Sequence, residues 1–289
     1  MRILITGANG QLGMDLQNAL KGHTLYPFSR AELDITAGWQ TIETITKSQP
    51  EVVIHAAAYT NVDGCESDPD LAYRINAVGT RNVAVGCQQC GAAMVYVSTD
   101  FVFDGKKKEP YLEFDEPNPL SVYGRSKLAG ERYVQSLLNK FFIVRTSWLY
   151  GKHGKNFVRT MLDLARQGKQ FKVVDDQVGS PTYSFDLAKT IRHLVETPFY
   201  GIYHVSNRGA VSWYGFAKKI FELAGMDVSL EPTTSDELGR PARRPAYSVF
   251  RRFALETSIG DEMRPWEEAL WEYLKEIGMD GISMDGKTP

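Results

Sequence analysis

Tyr123-Gly124-Arg125-Ser126-Lys127 places a phenol and an ammonium four residues apart. On a helix that spacing puts both on one face, about one turn apart. An ammonium about 4 Å from a phenolate stabilises it by ~4 kcal/mol at an effective dielectric of ~20. That is roughly three pKa units, so the spacing predicts a tyrosine acidified from ~10 towards neutrality. Y-x-x-x-K alone is a common pattern, and two upstream stretches give it weight. Arg2-Ile3-Leu4-Ile5-Thr6 runs into Gly7-Ala8-Asn9-Gly10-Gln11-Leu12-Gly13, after which Leu12, Leu16, Ala19 and Leu20 recur at helical spacing. G-x-x-G-x-x-G between a strand and a helix is a variant of the dinucleotide fingerprint. Its glycines let backbone N–H groups approach a pyrophosphate at the positive end of the helix. Gly7, Gly10, Gln11, Leu12 and Gly13 are therefore candidate cofactor residues. Further on, Met94-Val95-Tyr96-Val97-Ser98-Thr99-Asp100 is an apolar run breaking into hydroxyls. Parallel sheets bind ligands at strand carboxyl ends, so Thr99 is expected to point into the same crevice.

The elements that must carry these groups alternate, strand then helix, as βαβ units of a parallel sheet do. Strands are predicted at Arg2–Thr6, Thr24–Phe28, Val52–His55, Ala93–Ser98 and Phe141–Thr146, with helices at Pro69–Cys90 and Val122–Asn139. Short strands near Phe171–Val174 and Ile202–Val205 have open ownership. Pro265 is expected at the first position of a last helix, and the tail from Gly278 is expected to be loose. The fold class is α/β, a Rossmann-type doubly wound parallel sheet.

Composition narrows the function classes. The chain has 289 residues and a formal net charge of -2, which gives no electrostatic reason to expect nucleic acid or an acidic membrane. No apolar run approaches the ~20 residues of a membrane span. Met1-Arg2 leads straight into the first strand, so no signal peptide is expected. The three cysteines favour a reducing cytoplasm, and Cys87-Gln88-Gln89-Cys90 reads as helix cysteines facing a core. The five histidines show no ligand spacing, so no catalytic metal is expected. Gly151-Lys152-His153-Gly154-Lys155 lacks P-loop spacing and reads as a flexible active-site loop.

Longer stretches carry a resemblance: TGANGQLG from Thr6, HAAAYTNVDGCE from His55, VSTDFVFDG from Val97, NPLSVYGRSKLAGE from Asn118, RTSWLYG from Arg145, NFVRTM from Asn156, DDQVGSPTY from Asp175 and GRPARRPAYSV from Gly239. The chain resembles the extended short-chain dehydrogenase/reductases, and within them the dTDP-4-dehydrorhamnose reductase family. The resemblance implies residues 1–150 as a dinucleotide-binding domain. It makes 151–289 mainly a smaller, interleaved substrate-binding lobe, with some segments returning to the first domain. It implies NAD(P)H-dependent reduction of a C4 ketone on a sugar nucleotide. Tyr123 would be proton donor, Thr99 would hydrogen-bond the same oxygen, and Lys127 would steady the ribose hydroxyls.

Asp34 and Ile35 would lie beside the adenine, Ala58, Tyr59 and Thr60 along the cofactor, and Trp148 against the sugar. At the end of the second strand, Arg30 in place of a carboxylate favours a 2′-phosphate, hence NADPH over NADH. Arg240, Arg243 and Arg244, stiffened by Pro241 and Pro245, suit a diphosphate, with Arg243 and Arg244 the leading candidates. Asp100 suits a sugar hydroxyl. Sugar-nucleotide dehydratases follow the Thr with Asp-Glu, whereas here Phe101 follows Asp100. The epimerase-reductases carry a Cys beside the Ser at this strand end, and none lies there. A non-catalytic subunit of the same fold and a reductase of another 4-keto sugar nucleotide are the alternatives. Some members of the family dimerise through surface Mg²⁺; the sequence decides neither a homodimer nor that ion.

Overall fold

The computed structural model describes residues 1–168 and 170–279. Six strands form one parallel sheet: β1 (Arg2–Thr6), β2 (Thr24–Phe28), β3 (Val52–His55), β4 (Ala93–Thr99), β5 (Phe141–Thr146) and a returning strand, Gly201–His204. Their spatial order is Gly201–His204, β5, β4, β3, β1, β2, with every pairing parallel. The order reverses between β1 and β3, and ligand crevices open at the carboxyl ends beside such a reversal.

The central strands read as unbroken apolar runs because helices cover both sheet faces; all four residues of β3 are buried. β2 carries Pro27, which cannot donate to a ladder, and it lies on the sheet edge where that loss is tolerated. Helix α1 (Gln11–Ala19) buries Leu12, Leu16 and Ala19 against the sheet, the stripe its sequence period anticipates. Helix Ser184–Val195 adds Leu187, Ala188 and Ile191 to that same cluster, and Tyr203 of the returning strand joins them. A second apolar cluster gathers Tyr150, Val158, Met161, Phe216, Leu270 and Tyr273 from the later part of the chain.

Two open questions of ownership are resolved by pairing. Gly201–His204 extends the main sheet beside β5, whereas Phe171–Val174 pairs with Leu230–Thr233 in a separate two-stranded sheet. The long tract expected as one helix from Pro69 to Cys90 is continuous but not uniform. Pro69–Tyr73 and Thr80–Cys90 are α-helical and flank a π-helical stretch, Arg74–Gly79. Pro265 sits at the N-cap of the last helix, Trp266–Glu276, one position before the expected N1, with its ψ at 144°. Residues 280–289 of the tail expected to be loose lie outside the described residues. Among the described residues no helix is long and apolar enough to cross a membrane.

Candidate active site

Glycine is required at two positions where β1 meets α1. Gly7 has φ +70°, and a Cβ there would lie 2.8 Å from the Ala57 amide nitrogen. A Cβ at Gly13 would lie 2.3 Å from the Gly7 carbonyl. Any side chain would fill this cradle. The N-cap of α1 is Gly10, with no side-chain cap and no acidic residue in the first turn. First-turn N–H groups thus lack the internal partners that helix ends ordinarily recruit. A cradle of bare amides at a helix N-terminus fits the pyrophosphate of a dinucleotide.

The opposite wall is the helix Val122–Leu137. Ser121 caps it by accepting from the Gly124 amide at 3.1 Å. Gly124 and Gly130 let it approach closely: a Cβ at Gly124 would meet the Phe101 carbonyl at 2.2 Å, and one at Gly130 the Tyr96 hydroxyl at 2.3 Å. Asn76, in the π-helical stretch, ties this wall to the loop after β3. Its Oδ1 accepts from the Tyr59 amide at 2.8 Å, and its Nδ2 donates to the Tyr59 carbonyl and to Ser126 Oγ, both at 3.0 Å.

Tyr123 and Lys127 are both buried on this helix. Lys127 Nζ donates to the Val97 carbonyl at 2.7 Å and lies 4.1 Å from the centre of the Tyr96 ring. Burial pulls its pKa down to about 7, against the opposing charge of Glu131. Burial likewise raises the Tyr123 phenol above its ordinary value; the neighbouring Thr99 hydroxyl counters this only in part, and Asp100 adds to it. This reverses the expected acidification, because the ammonium is directed to a carbonyl and an aromatic face while desolvation governs the phenol. Thr99, at the end of β4, donates to Asp100 Oδ1 at 3.1 Å. Asp100 Oδ2 accepts from Ser248 Oγ at 2.7 Å, and burial pushes this carboxyl up to about 6 despite both hydroxyls.

Behind these groups lies a buried ion pair. Glu131 accepts from Arg145 Nε at 3.0 Å and Nη2 at 2.7 Å, and from Ser98 Oγ at 2.5 Å. The Glu131 and Arg145 side chains are 0% and 2% exposed. Ser98 precedes Thr99, so the pair fixes the end of β4.

At the far end, Trp148 follows β5 with φ +49°, a left-handed conformation rare for a bulky residue. Its indole stacks on Trp213 with ring centres 3.6 Å apart and planes 8° from parallel. Gly179 makes room for the ring, since a Cβ there would lie 2.6 Å from it. Arg244 Nη2 donates to Asp63 Oδ2 at 3.0 Å. Burial alone would raise the Asp63 carboxyl, but Arg244 and the Ala242 amide hold it below its ordinary value.

One cleft of about 620 Å³ joins these ends. Its walls include Gly7, Gly10, Gln11, Leu12 and Gly13 on one side, and Ala58, Thr60, Thr99, Asp100, Tyr123 and Lys127 in the middle. Trp148, Trp213, Arg240 and Arg244 close the far side. An adjoining hollow of about 250 Å³ shares Trp148, Trp213, Arg240 and Arg244 and adds Phe157, Val173 and Gln177.

Five candidates lie off the walls. Arg30 is exposed beyond β2, and the Asp34 carboxylate is turned onto Thr36, whose amide and hydroxyl donate at 2.9 and 2.8 Å. Ile35 is buried in the sheet core, and Tyr59 presents its backbone to Asn76. Arg243 is exposed, with Arg240 in the cleft in its stead. Sequence reasoning passed over Asn76, Glu131, Trp213 and Ser248. Trp213 opens a helix capped by Ser212, and no local pattern links it to Trp148.

A doubly wound parallel sheet with a bare-amide cradle at its first turn, and a strand-end hydroxyl facing a Tyr-x-x-x-Lys helix, defines the extended short-chain dehydrogenase/reductase class. Within that class, the family described as RmlD substrate binding domain matches residues 1–279, and the chain belongs to it. Spore coat polysaccharide biosynthesis protein SpsK of Bacillus subtilis is 43% identical over 277 residues, 95% of this chain and 97% of that one. A dTDP-4-dehydrorhamnose reductase of Streptomyces griseus is 41% identical over 280 residues, 94% of this chain and 92% of that one. The crystal structure of dTDP-4-dehydrorhamnose reductase from Bacillus anthracis in complex with NADP is 50% identical, with a TM-score of 0.93 over 95% of this chain and 99% of that chain.

Proposed function

We propose that this chain is an NADPH-dependent reductase that converts the C4 ketone of dTDP-4-dehydro-L-rhamnose to the alcohol of dTDP-L-rhamnose. The observation that carries the reading is the single cleft with a pyrophosphate cradle at one end, a Thr–Tyr–Lys group in the middle, and two arginines beside an indole pair at the other. Gly7, Gly10 and Gly13 with the first turn of α1 would hold the dinucleotide pyrophosphate, and Lys127 the ribose hydroxyls. When bound, the dinucleotide supplies the hydride.

Tyr123 Oη delivers the proton to the C4 oxygen, and Thr99 Oγ hydrogen-bonds the same oxygen. A phenol that burial keeps protonated across the neutral range is in the right state to donate. Asp100, oriented by Ser248, serves a sugar hydroxyl, while Arg240 and Arg244 serve the substrate diphosphate and Trp148 the sugar face. Arg30, exposed beyond β2, suits the 2′-phosphate. Arg30→Ala should therefore cut the preference for NADPH over NADH by about tenfold, one charge-assisted contact. The cytoplasm is the proposed compartment, in keeping with three unpaired cysteines.

The test follows loss of NADPH with dTDP-4-dehydro-L-rhamnose, beside 4-keto sugars linked to other nucleotides. Turnover fastest with the dTDP sugar supports the reading, and no turnover with any of them ends it.

A further inference from the structure

The cleft has more cations than its two ends require, and one of them stands apart from the roles above. Lys127, Lys155, Arg240 and Arg244 all line it. Lys127 is engaged with the Val97 carbonyl. Arg240 and Arg244 border the adjoining hollow as well, and Arg244 is paired with Asp63. The roles proposed above use these three elsewhere in the cleft.

Lys155 is placed there by its backbone. The next residue, Asn156, is buried and donates from Nδ2 to Gln11 Oε1 at 3.0 Å and to the Gly151 carbonyl at 2.8 Å. Its Oδ1 meanwhile caps the helix Phe157–Arg166 by accepting from the Arg159 amide. Gln11 is the first residue of α1, so this bond fixes the loop against the helix end that faces the cradle. A Cβ on Gly154 would come within 3.9 Å of the Gln11 side chain. The Lys155 side chain itself is exposed and takes part in none of the ion pairs among the described residues. A tethered backbone with a free, flexible ammonium suits a compact point charge that settles on whichever phosphate oxygen arrives.

We infer that Lys155 is a binding residue for the dinucleotide, placing its ammonium over the pyrophosphate from the side opposite the glycine loop. The cradle supplies amides and no positive side chain, and Lys155 supplies the charge. The loop read from sequence as flexible is thereby a clasp, held at Asn156 and closed by the ligand. This rests on the dinucleotide assignment and adds to it a residue from outside the fingerprint.

The test is equilibrium binding of NADPH and of NADH, followed by fluorescence without any sugar nucleotide, for wild type, Lys155→Ala and Lys155→Arg. Both dinucleotides share the pyrophosphate, and only NADPH has the 2′-phosphate. Lys155→Ala should weaken both by the same factor, about tenfold, with a shallower dependence on salt. Lys155→Arg should restore most of the affinity, and the melting temperature should not move. Unchanged affinity for both dinucleotides would overturn the inference. So would a loss confined to NADPH, which would put Lys155 at the 2′-phosphate. A raised KM for the sugar nucleotide with dinucleotide affinity intact would put it on the substrate diphosphate and overturn the inference as well. Wild-type protein that binds neither dinucleotide would overturn the cofactor assignment, and the inference with it.

Discussion

At the glycine-loop end and in the middle of the cleft, the working groups sit on the turns that follow β1, β3 and β4 or on one face of one helix. At the tryptophan end, Trp148, Trp213 and the segment from Arg244 to Ser248 arrive from three separate stretches after β5. The first end is held by groups shut away from water: Glu131 and Arg145 are 0% and 2% exposed, and Asn76 is buried. The second is held by contacts nearer solvent, such as Arg244 with Asp63, at 13% and 33% exposure. A buried pair is costly to break on one side, because the partner is left as an uncompensated charge. A partly exposed pair is cushioned by water. The geometry around Thr99, Tyr123 and Lys127 is therefore bound up with folding, whereas the tryptophan end can vary without endangering the fold.

The largest expected effect tests that contrast. Glu131→Gln strands Arg145 and should cost about 3–5 kcal/mol of unfolding free energy. Asp63→Asn should cost about 1 kcal/mol or less. Denaturant titration of the two variants checks this, and equal losses would erase the distinction between the two ends. Next in size, Arg244→Gln should raise KM for the sugar nucleotide about tenfold to a hundredfold, as loss of one charged contact to a diphosphate does. It should leave dinucleotide affinity as it was. Steady-state kinetics and dinucleotide titration together would show whether the far end acts on substrate alone.

A smaller effect concerns Lys127. In the unfolded chain its ammonium persists to about 10.5, while in the folded protein it loses its proton at about 7. Unfolding in the window between takes up a proton, so stability rises with pH there, by at most about 1.4 kcal/mol per unit. Asp100, pushed up to about 6, changes stability only below that window. Cys65, pushed up to about 11 from 9.0, enters only from about pH 9 upwards. Denaturation between about pH 7 and 8.5 should thus show a rising slope that Lys127→Met flattens. An unchanged slope in the variant would mean that another group titrates there.

The two ends also differed in how far they could be read from the chain. β1, β2, β3 and β5 fall on their expected bounds and β4 runs one residue further; for all but β3, which ends at His55, the apolar run breaks at a Gly or hydroxyl residue. Glycine cradle, Thr99 and the Tyr-x-x-x-Lys spacing are local, so they are visible in a few adjacent residues. Trp213, Ser248 and the choice of Arg240 over Arg243 in the cleft depend on how distant segments meet, and no period or spacing encodes that. The π-helical stretch that turns Asn76 to Tyr59 interrupts an otherwise regular helical pattern, and its one breaker residue, Gly79, marks its end without predicting the change of helix type. The direction of the Tyr123 shift was missed for a different reason. Spacing fixes which face Lys127 shares with Tyr123, but the Val97 carbonyl that claims its ammonium lies on another element.

The most direct measurement pairs turnover with binding in Tyr123→Phe. If Tyr123 Oη is the proton donor, kcat for reduction of dTDP-4-dehydro-L-rhamnose should fall about 10²–10⁴-fold, with NADPH affinity close to that of wild type. A variant that reduces the ketone at the wild-type rate would contradict the account.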